Sequence, residues 1–153
     1  MPLQIINSFA TWILKKRIHQ MELFLKYPHE VQDELLFSLI KSAENTQIGR
    51  KYDFSSMKNY TTFSERIPVS TYEELEPLIE LTRKGEQNVF WHSNIKWFAK
   101  SSGTTNAKSK FIPVSSEALE NCHYKASKDL LCLFLNNNED SQLFTGKSLR
   151  LGG

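Results

Sequence analysis

The sequence predicts a mixed α and β protein of the α/β class, with helices at its amino-terminal end and short strands in its second half. Two observations carry this prediction. Apolar residues recur at helical spacing over residues 1–49, whereas aromatic and β-branched residues cluster in short runs over residues 89–153, as they do in strands. The 153 residues are enough for one domain with a core of its own.

Composition and charge exclude several classes of protein. Hydrophobic residues make up 40% of the chain and charged residues 24%, which separates it from disordered proteins. The formal net charge is only +2, so the chain lacks the basic excess typical of nucleic-acid binders. No apolar run is long enough to span a membrane, and the first basic cluster follows the apolar start, unlike in a signal peptide. We therefore expect a cytoplasmic protein without a membrane or nucleic-acid partner.

The cysteines and histidines show no metal-binding pattern. Cys122 and Cys132 fall in one predicted helix, where their Cα atoms would be about 15 Å apart, too far for a disulfide. Neither cysteine has a ligand neighbour at CxxC spacing, and His19, His29 and His92 share no such spacing either. We expect reduced structural thiols and no metal ligand in this chain.

The first 49 residues predict two consecutive helices. Apolar positions from Ile5 to Trp12 recur on one helical face, and the helix should continue to Tyr27. Pro28 suits the first turn of a new helix, which is expected to end near Gly49. Because the connection is short, the two helices are expected to pack as an antiparallel pair.

Two capping boxes predict helix starts in the middle of the chain. Thr62 with Glu65 and Ser70 with Glu73 both match the pattern in which a hydroxyl and a carboxylate bind the free amides of a first turn. The second box is expected to open a helix that the polar turn at 84–88 closes.

The second half predicts short strands and one long helix. Strand signals occupy three runs and the carboxy-terminal end: 89–91, 95–98, 110–114 and 148–153. Ser115 or Ser116 is expected to cap a helix that reaches Leu135. Because a strand-like signal with two glycines ends the sequence, we expect the chain to be cut from a larger domain.

The segment between the second and third strand signals carries the chemistry. It consists of small polar residues followed by two lysines: Ser101, Ser102, Gly103, Thr104, Thr105, Asn106, Lys108 and Lys110. Glycine permits close backbone approach, hydroxyls and amides can donate to an anion, and lysine supplies positive charge. A phosphate-binding loop and a plain polar turn both fit this composition. The spacing matches neither a Walker A loop nor a dinucleotide-binding glycine fingerprint.

Ser101-Ser102-Gly103-Thr104-Thr105 is similar to the phosphate-binding loop of the adenylate-forming superfamily. With Lys110-Phe111-Ile112-Pro113 after the loop, Ile67–Leu75 before it and Gly146–Gly153 at the end, the chain resembles the auxin-responsive promoter (Gretchen Hagen) family of acyl acid–amido synthetases. The resemblance covers most of the chain, although only the loop is chemically specific. It implies that residues 1–153 are a partial amino-terminal, ATP-binding domain of a larger ligase.

The resemblance implies a reaction and a set of site residues. The reaction is the ATP-dependent activation of a carboxylic acid as an acyl-adenylate, followed by transfer to an amine such as an amino acid. Ser101 to Asn106 and Lys108 would hold the ATP phosphates, and Lys110 would act as the catalytic cation. Lys108 and Lys110 compete for this role, and the family pattern favours Lys110. Mg²⁺ would take part, but its ligands would lie outside this chain, which alone would be inactive.

Two other functions remain open at the level of sequence. One is a stand-alone, non-catalytic binding or interaction module, in which the helical half contacts a partner and the polar segment is a turn. The other is a small phosphotransferase, which the glycine spacing disfavours. The helix after the loop resembles one that lines the acyl pocket in the family, but we assign no role to its His123.

Overall fold

The computed structural model describes residues 2–101 and 109–138, together with 140, 141, 143, 144, 147 and 149, and gives the backbone alone for residues 2–7, 10, 11 and 14–16. Within this part of the chain the elements, in order, are α1 (Pro2–Lys26), α2 (Pro28–Ala43), α3 (Gln47–Lys51), a 3-10 turn (Phe54–Ser56), α4 (Tyr60–Arg66), α5 (Tyr72–Arg83), β1 (Trp97–Lys100), β2 (Phe111–Val114), α6 (Ser116–Ala118), a π-helical segment (Leu119–Tyr124) and α7 (Lys125–Asn137). The mixed α and β class is therefore confirmed. No helix of the described residues is long and apolar enough to cross a membrane.

The chain divides into two compact units. The first combines Met1–Pro28 with Asn121–Gly153, and the second is the continuous segment His29–Glu120. One boundary follows Pro28, the first residue of α2, and the other lies inside the π-helical segment. The sequence patterns alone did not indicate this division.

In the first unit, α1 packs along α7. Cys132 and Leu135 on α7 are almost fully buried. The Arg17 guanidinium donates two hydrogen bonds to Asp129, from Nε to Oδ1 at 2.7 Å and from Nη2 to Oδ2 at 3.1 Å. The predicted pair of consecutive amino-terminal helices is present. However, the helix that packs on α1 is α7, which lies far away in sequence, and α2 belongs to the other unit.

In the second unit, apolar residues from four segments form the core. Each of them has 8% or less of its surface exposed to solvent: Ile40, Ala43, Met57, Ile79, Val89 and Ile95. The second helix ends earlier than expected, at Ala43, and Gly49 lies in the separate helix α3. The physical reason is Thr46, which caps α3 by accepting a hydrogen bond from the Gly49 amide.

The helix starts in the middle of the chain differ from the two predicted capping boxes. Asn59 caps α4 and accepts from the Thr62 amide, so the first box was wrong. The capping box of α5 joins Thr71 and Glu74, one residue after the predicted pair. The predicted helix itself is confirmed, and it ends at a turn in which Gly85 has a φ of 100°.

The predicted strand at 89–91 is wrong. The backbone there bonds to the start of α3, since Gln47 donates to the Asn88 carbonyl at 2.9 Å and Ile48 donates to the Val89 carbonyl at 3.2 Å. Val89 has only 1% of its surface exposed, so its apolar character reflects burial in the core. Apolar runs of this length do not distinguish a strand from an irregular buried segment.

Strands occur near the two later predicted runs and pair antiparallel. β1 lies two residues later than the predicted 95–98, whereas β2 agrees with the predicted 110–114 to within one residue. Ser115 accepts a hydrogen bond from the Ala118 amide at 3.0 Å, which confirms a cap at the start of the following helical stretch. This stretch is interrupted by the π-helical segment before it continues as α7. Both cysteines are free, as expected, and burial raises the pKa of the Cys132 thiol. The predicted strand at 148–153 lies outside the described residues, apart from Leu149.

Candidate functional site

The predicted phosphate segment is carried by a two-stranded hairpin. The register pairs Trp97 with Val114 and Lys100 with Phe111. Beyond the last pair, the Ser101 amide donates to the Lys110 carbonyl at 2.9 Å, and the Lys110 amide donates to Ser101 Oγ at 3.3 Å. The hairpin therefore brings together the first and last residues of the predicted site.

The other predicted site residues lie outside the described part of the chain. They are the residues between those two ends: Ser102, Gly103, Thr104, Thr105, Asn106 and Lys108. The geometry of the site is consequently defined by Ser101, Lys110 and the groups around them.

The Lys110 side chain has two close neighbours on the first turn of α5. Its Nζ lies 3.1 Å from Glu73 Oε1 and 4.9 Å from the centre of the Tyr72 ring. Both members of the ion pair are accessible to solvent, with 43% of the Lys110 side chain and 67% of the Glu73 side chain exposed. A cation over an aromatic face is attracted by the electrons of the ring, so Tyr72 and Glu73 both favour this position of the ammonium group.

The first turn of α5 is itself held by capping bonds. The Thr71 amide donates to Glu74 Oε2 at 2.7 Å, and the Glu74 amide donates to Thr71 Oγ1 at 3.3 Å. Glu73 follows in this turn, where backbone amides lack helical partners. A hydrogen bond from its own backbone amide, together with that from Lys110, lowers the pKa of the Glu73 carboxyl. The carboxylate is thus stabilised in its charged form.

The outer edge of β2 is attached to α5. In an antiparallel pair, alternate residues direct their backbone groups away from the partner strand. Phe111 is such a residue here, and its amide donates to Tyr72 Oη at 2.9 Å. Pro113 is another, and it has no amide hydrogen to donate. The Arg83 guanidinium lies 4.0 Å above the Phe111 ring, so the last turn of α5 also contacts this strand.

Tyr72 and Glu73 were not among the predicted site residues. They belong to the Ile67–Leu75 segment that supported the family resemblance, but nothing in the pattern assigned them to the site. Tyr72 and Phe111 are 39 positions apart in sequence. Only the packing of α5 on β2 brings them together.

A second polar cluster lies where β2 leads into α6. Ser93 Oγ donates to Glu117 Oε2 at 2.8 Å, and His92 Nε2 lies 3.6 Å from Glu117 Oε1. A hydrogen bond from the backbone amide of Glu117, followed by that from Ser93, lowers the pKa of this carboxyl. In the described residues, no group of three or more His, Cys, Asp or Glu side chains could hold a metal ion. The cluster stabilises a helix start.

Sequence and structure comparisons with known proteins all identify amido synthetases of one family as similar to this chain. The profile of the GH3 family N-terminal domain matches residues 17–152. An indole-3-acetic acid-amido synthetase, GH3.2 of Arabidopsis thaliana, is 29% identical over 69% of the chain. A jasmonoyl–L-amino acid synthetase, JAR4 of Nicotiana attenuata, is 26% identical over 87% of the chain. The solved structure of the acyl acid amido synthetase AtGH3.15 in complex with 2,4-DB superposes with a TM-score of 0.62 at 25% identity, over 70% of this chain.

The chain spans about a fifth of the length of the curated relatives that it matches. It covers 19% of the Arabidopsis synthetase and 22% of the Nicotiana enzyme, and 19% of the chain in the solved structure. The similarity therefore concerns one part of these enzymes.

Proposed function

The chain belongs to the GH3 family, whose matching relatives are amido synthetases, and we propose that its protein joins a carboxylic acid to an amine in an ATP-dependent reaction. The acid is activated as an acyl-adenylate with release of pyrophosphate, and the acyl group then passes to the amine, forming an amide. These relatives, an indole-3-acetic acid-amido synthetase and a jasmonoyl–L-amino acid synthetase, support a small carboxylic acid and an amino acid as the substrate classes.

We propose that the site for the ATP phosphates lies at the end of the β1–β2 hairpin. The hydroxyls and amides of Ser101, Ser102, Thr104 and Thr105 would donate to phosphate oxygens, with Gly103 allowing close approach and Asn106 and Lys108 completing the segment. Lys110 would neutralise the charge that develops on the pyrophosphate. Oriented donors and cations of this kind stabilise a transition state because they need little rearrangement during the reaction.

One observation carries this proposal: the hairpin places Lys110 opposite Ser101, and these two residues stand at the beginning and end of the predicted site in the sequence. Lys110 is half-exposed, and its ammonium has three N–H donors, so it can bind a phosphate in addition to its present neighbours. Residues 89–153 would thus supply the phosphate-binding part, and residues 1–49 a helical lead-in, of an ATP-binding domain.

The described residues near Lys110 do not fit a site for Mg²⁺. This ion requires several oxygen ligands in octahedral geometry. The nearest carboxylate, Glu73, is paired with Lys110, and no described cluster of acidic groups surrounds it. The proposal therefore assigns no Mg²⁺ ligand to the described residues and no reaction step to the ion.

Substitution of Lys110 by alanine tests the proposal. Lys110→Ala should slow ATP–pyrophosphate exchange by the complete gene product on the order of 100-fold, because a charge-stabilising donor is lost. Lys96→Ala removes an exposed lysine of the same unit and should leave the exchange rate unchanged. Exchange that is equally fast in both variants would remove Lys110 from the mechanism. If the unsubstituted protein catalyses no exchange with any acid, the non-catalytic binding module becomes the better description.

A further inference from the structure

The carboxylate of Glu73 has a well-defined position. Thr71 caps α5, so Glu73 is the second residue of the helix, on the turn that the Thr71–Glu74 box holds. Its carboxylate oxygen Oε1 lies 3.1 Å from Lys110 Nζ. The free amides and the dipole at a helix start favour a negative charge there. Glu73 is thus a suitable fixed anchor for a cation.

Lys110 needs such an anchor more than most groups in the site. A lysine side chain has a flexible four-carbon stem and loses considerable rotational freedom when its ammonium is ordered. Its backbone is set by the bonds with Ser101, but these bonds leave the direction of the stem undetermined. Glu73 and the Tyr72 ring are the groups that define the position of Nζ.

We propose that Glu73 is a positioning residue for Lys110, holding its ammonium group beside the first turn of α5 so that an incoming phosphate meets an oriented cation. One N–H of the ammonium is used by Glu73, and two remain for phosphate oxygens. This inference rests on the proposed function of Lys110 and adds a residue that the family resemblance did not assign.

The exposure of the ion pair argues for positioning and against a competing role. Glu73 is 67% exposed and Lys110 43% exposed. Ion pairs in such surroundings are weak because water screens them. Glu73 therefore does not prevent phosphate from binding Lys110. Orienting the lysine is expected to lower the KM for ATP by a few-fold.

A double-mutant cycle in the complete gene product tests this role. Glu73→Gln keeps the size of the side chain and removes its charge. We expect it to raise the KM for ATP in the exchange assay by about two- to five-fold, the effect of an exposed ion pair, with a smaller change in kcat. In the Lys110→Ala background the same change should have no effect, because Glu73 acts through Lys110. Glu65→Gln, an exposed glutamate on α4, is the matched control.

A second measurement needs no nucleotide. The rate at which acetic anhydride acetylates Lys110, followed by mass spectrometry with Lys96 as internal reference, should rise by a similar factor in Glu73→Gln, because Nζ is then no longer held against the Glu73 carboxylate. An unchanged rate would overturn the positioning role.

The outcomes separate the two claims. If Lys110→Ala does not slow exchange, the proposed function of Lys110 fails, and the role of Glu73 fails with it. If Lys110→Ala slows exchange but Glu73→Gln leaves the KM unchanged, or its effect multiplies with that of Lys110→Ala, only the positioning role is lost. Thermal unfolding of each variant establishes that the fold is retained.

Discussion

At the residue scale, Thr46 lies wholly buried between α2 and α3, where its hydroxyl makes two hydrogen bonds. Oγ1 donates to the Ala43 carbonyl at 2.7 Å and accepts from the Gly49 amide at 3.0 Å. The first bond serves the end of α2, and the second serves the start of α3. The adjacent Gly49 leaves no space for adjustment, since an added Cβ would lie 2.0 Å from the Ala43 carbonyl oxygen.

Thr46→Val should destabilise the protein by about 1–3 kcal/mol while preserving side-chain shape, because it takes away the hydroxyl that accepts from the buried Gly49 amide. The Ala43 carbonyl keeps the hydrogen bond from the Thr46 backbone amide. Thr46→Ser keeps the hydroxyl and loses one methyl group, so it should cost about 1 kcal/mol. Urea unfolding at pH 7 measures both values. Equal losses in the two variants would show that the hydroxyl contributes little.

Lys110 was predicted as a site residue from the sequence, whereas the glutamate that contacts it, Glu73, was not. The sequence predicted a lysine for the phosphate site because its spacing from Pro113 matches the family pattern. The glutamate that contacts it was interpreted as a cap, in a predicted box with Ser70. In the structure that role belongs to Glu74, and Glu73 is free to contact the hairpin.

At the scale of elements, α5 and β2 are joined at both ends of the helix. Tyr72 Oη accepts from the Phe111 amide, while Arg83 stacks on the Phe111 ring. A two-stranded hairpin is marginally stable alone, so packing on a helix contributes to its stability. The same attachment holds Lys110 near the first turn of α5. The stability of the hairpin and the position of Lys110 therefore both depend on the packing of α5 on β2.

The contact between α1 and α7 makes stability depend on pH. The hydrogen bond from Arg17 lowers the pKa of the Asp129 carboxyl, and this effect outweighs the desolvation that would raise it. Because the pKa of Asp129 is lower in the folded than in the unfolded protein, its ion pair with Arg17 stabilises the fold fully at pH values above the unfolded pKa, about 4. This stabilisation is lost as the pH falls through the lower folded-state pKa.

Asp129→Asn should therefore lower the free energy of unfolding at pH 7 by about 1.5–3 kcal/mol, the contribution of hydrogen bonds to a charged group. The difference between the unsubstituted protein and the variant should shrink as the pH is lowered below about 4. Urea unfolding at a series of pH values measures this difference, in which the other carboxyls cancel. Asp33→Asn, at an exposed position of α2, is the control. A difference that stays constant down to pH 2 would contradict the assignment.

At the scale of the whole molecule, the family match runs through both compact units, since it covers residues 17–152. The candidate site uses only the second unit, where the hairpin and α5 lie. The chain matches about a fifth of each relative, so the proposed reaction belongs to the complete gene product.

Hydrogen exchange with and without ATP tests whether the nucleotide binds at the β1–β2 hairpin and the first turn of α5. We expect ATP to slow exchange in peptides that cover residues 97–114 and in those that include the first turn of α5. Peptides from α2 should exchange at the same rate in both conditions and serve as the internal control. Equal exchange throughout the chain would favour the non-catalytic binding module.

The sequence by itself determined the features that depend on neighbouring residues. Helical periodicity predicted α1, a hydroxyl beside acidic residues predicted the start of α5, and β-branched runs around a small polar segment predicted β1 and β2. The family resemblance rested on such local motifs, and the match over residues 17–152 confirmed it. The roles of Ser101 to Lys110 remain proposals.

Only the tertiary structure decided which of these elements meet. It placed α7 on α1, turned Val89 into a core residue beside α3, and brought Tyr72 and Glu73 to Lys110. Periodicity shows that a helix or segment has an apolar face, but many other faces in the chain could cover it. The choice among them depends on the combined packing of residues distant in sequence, to which no short pattern is sensitive.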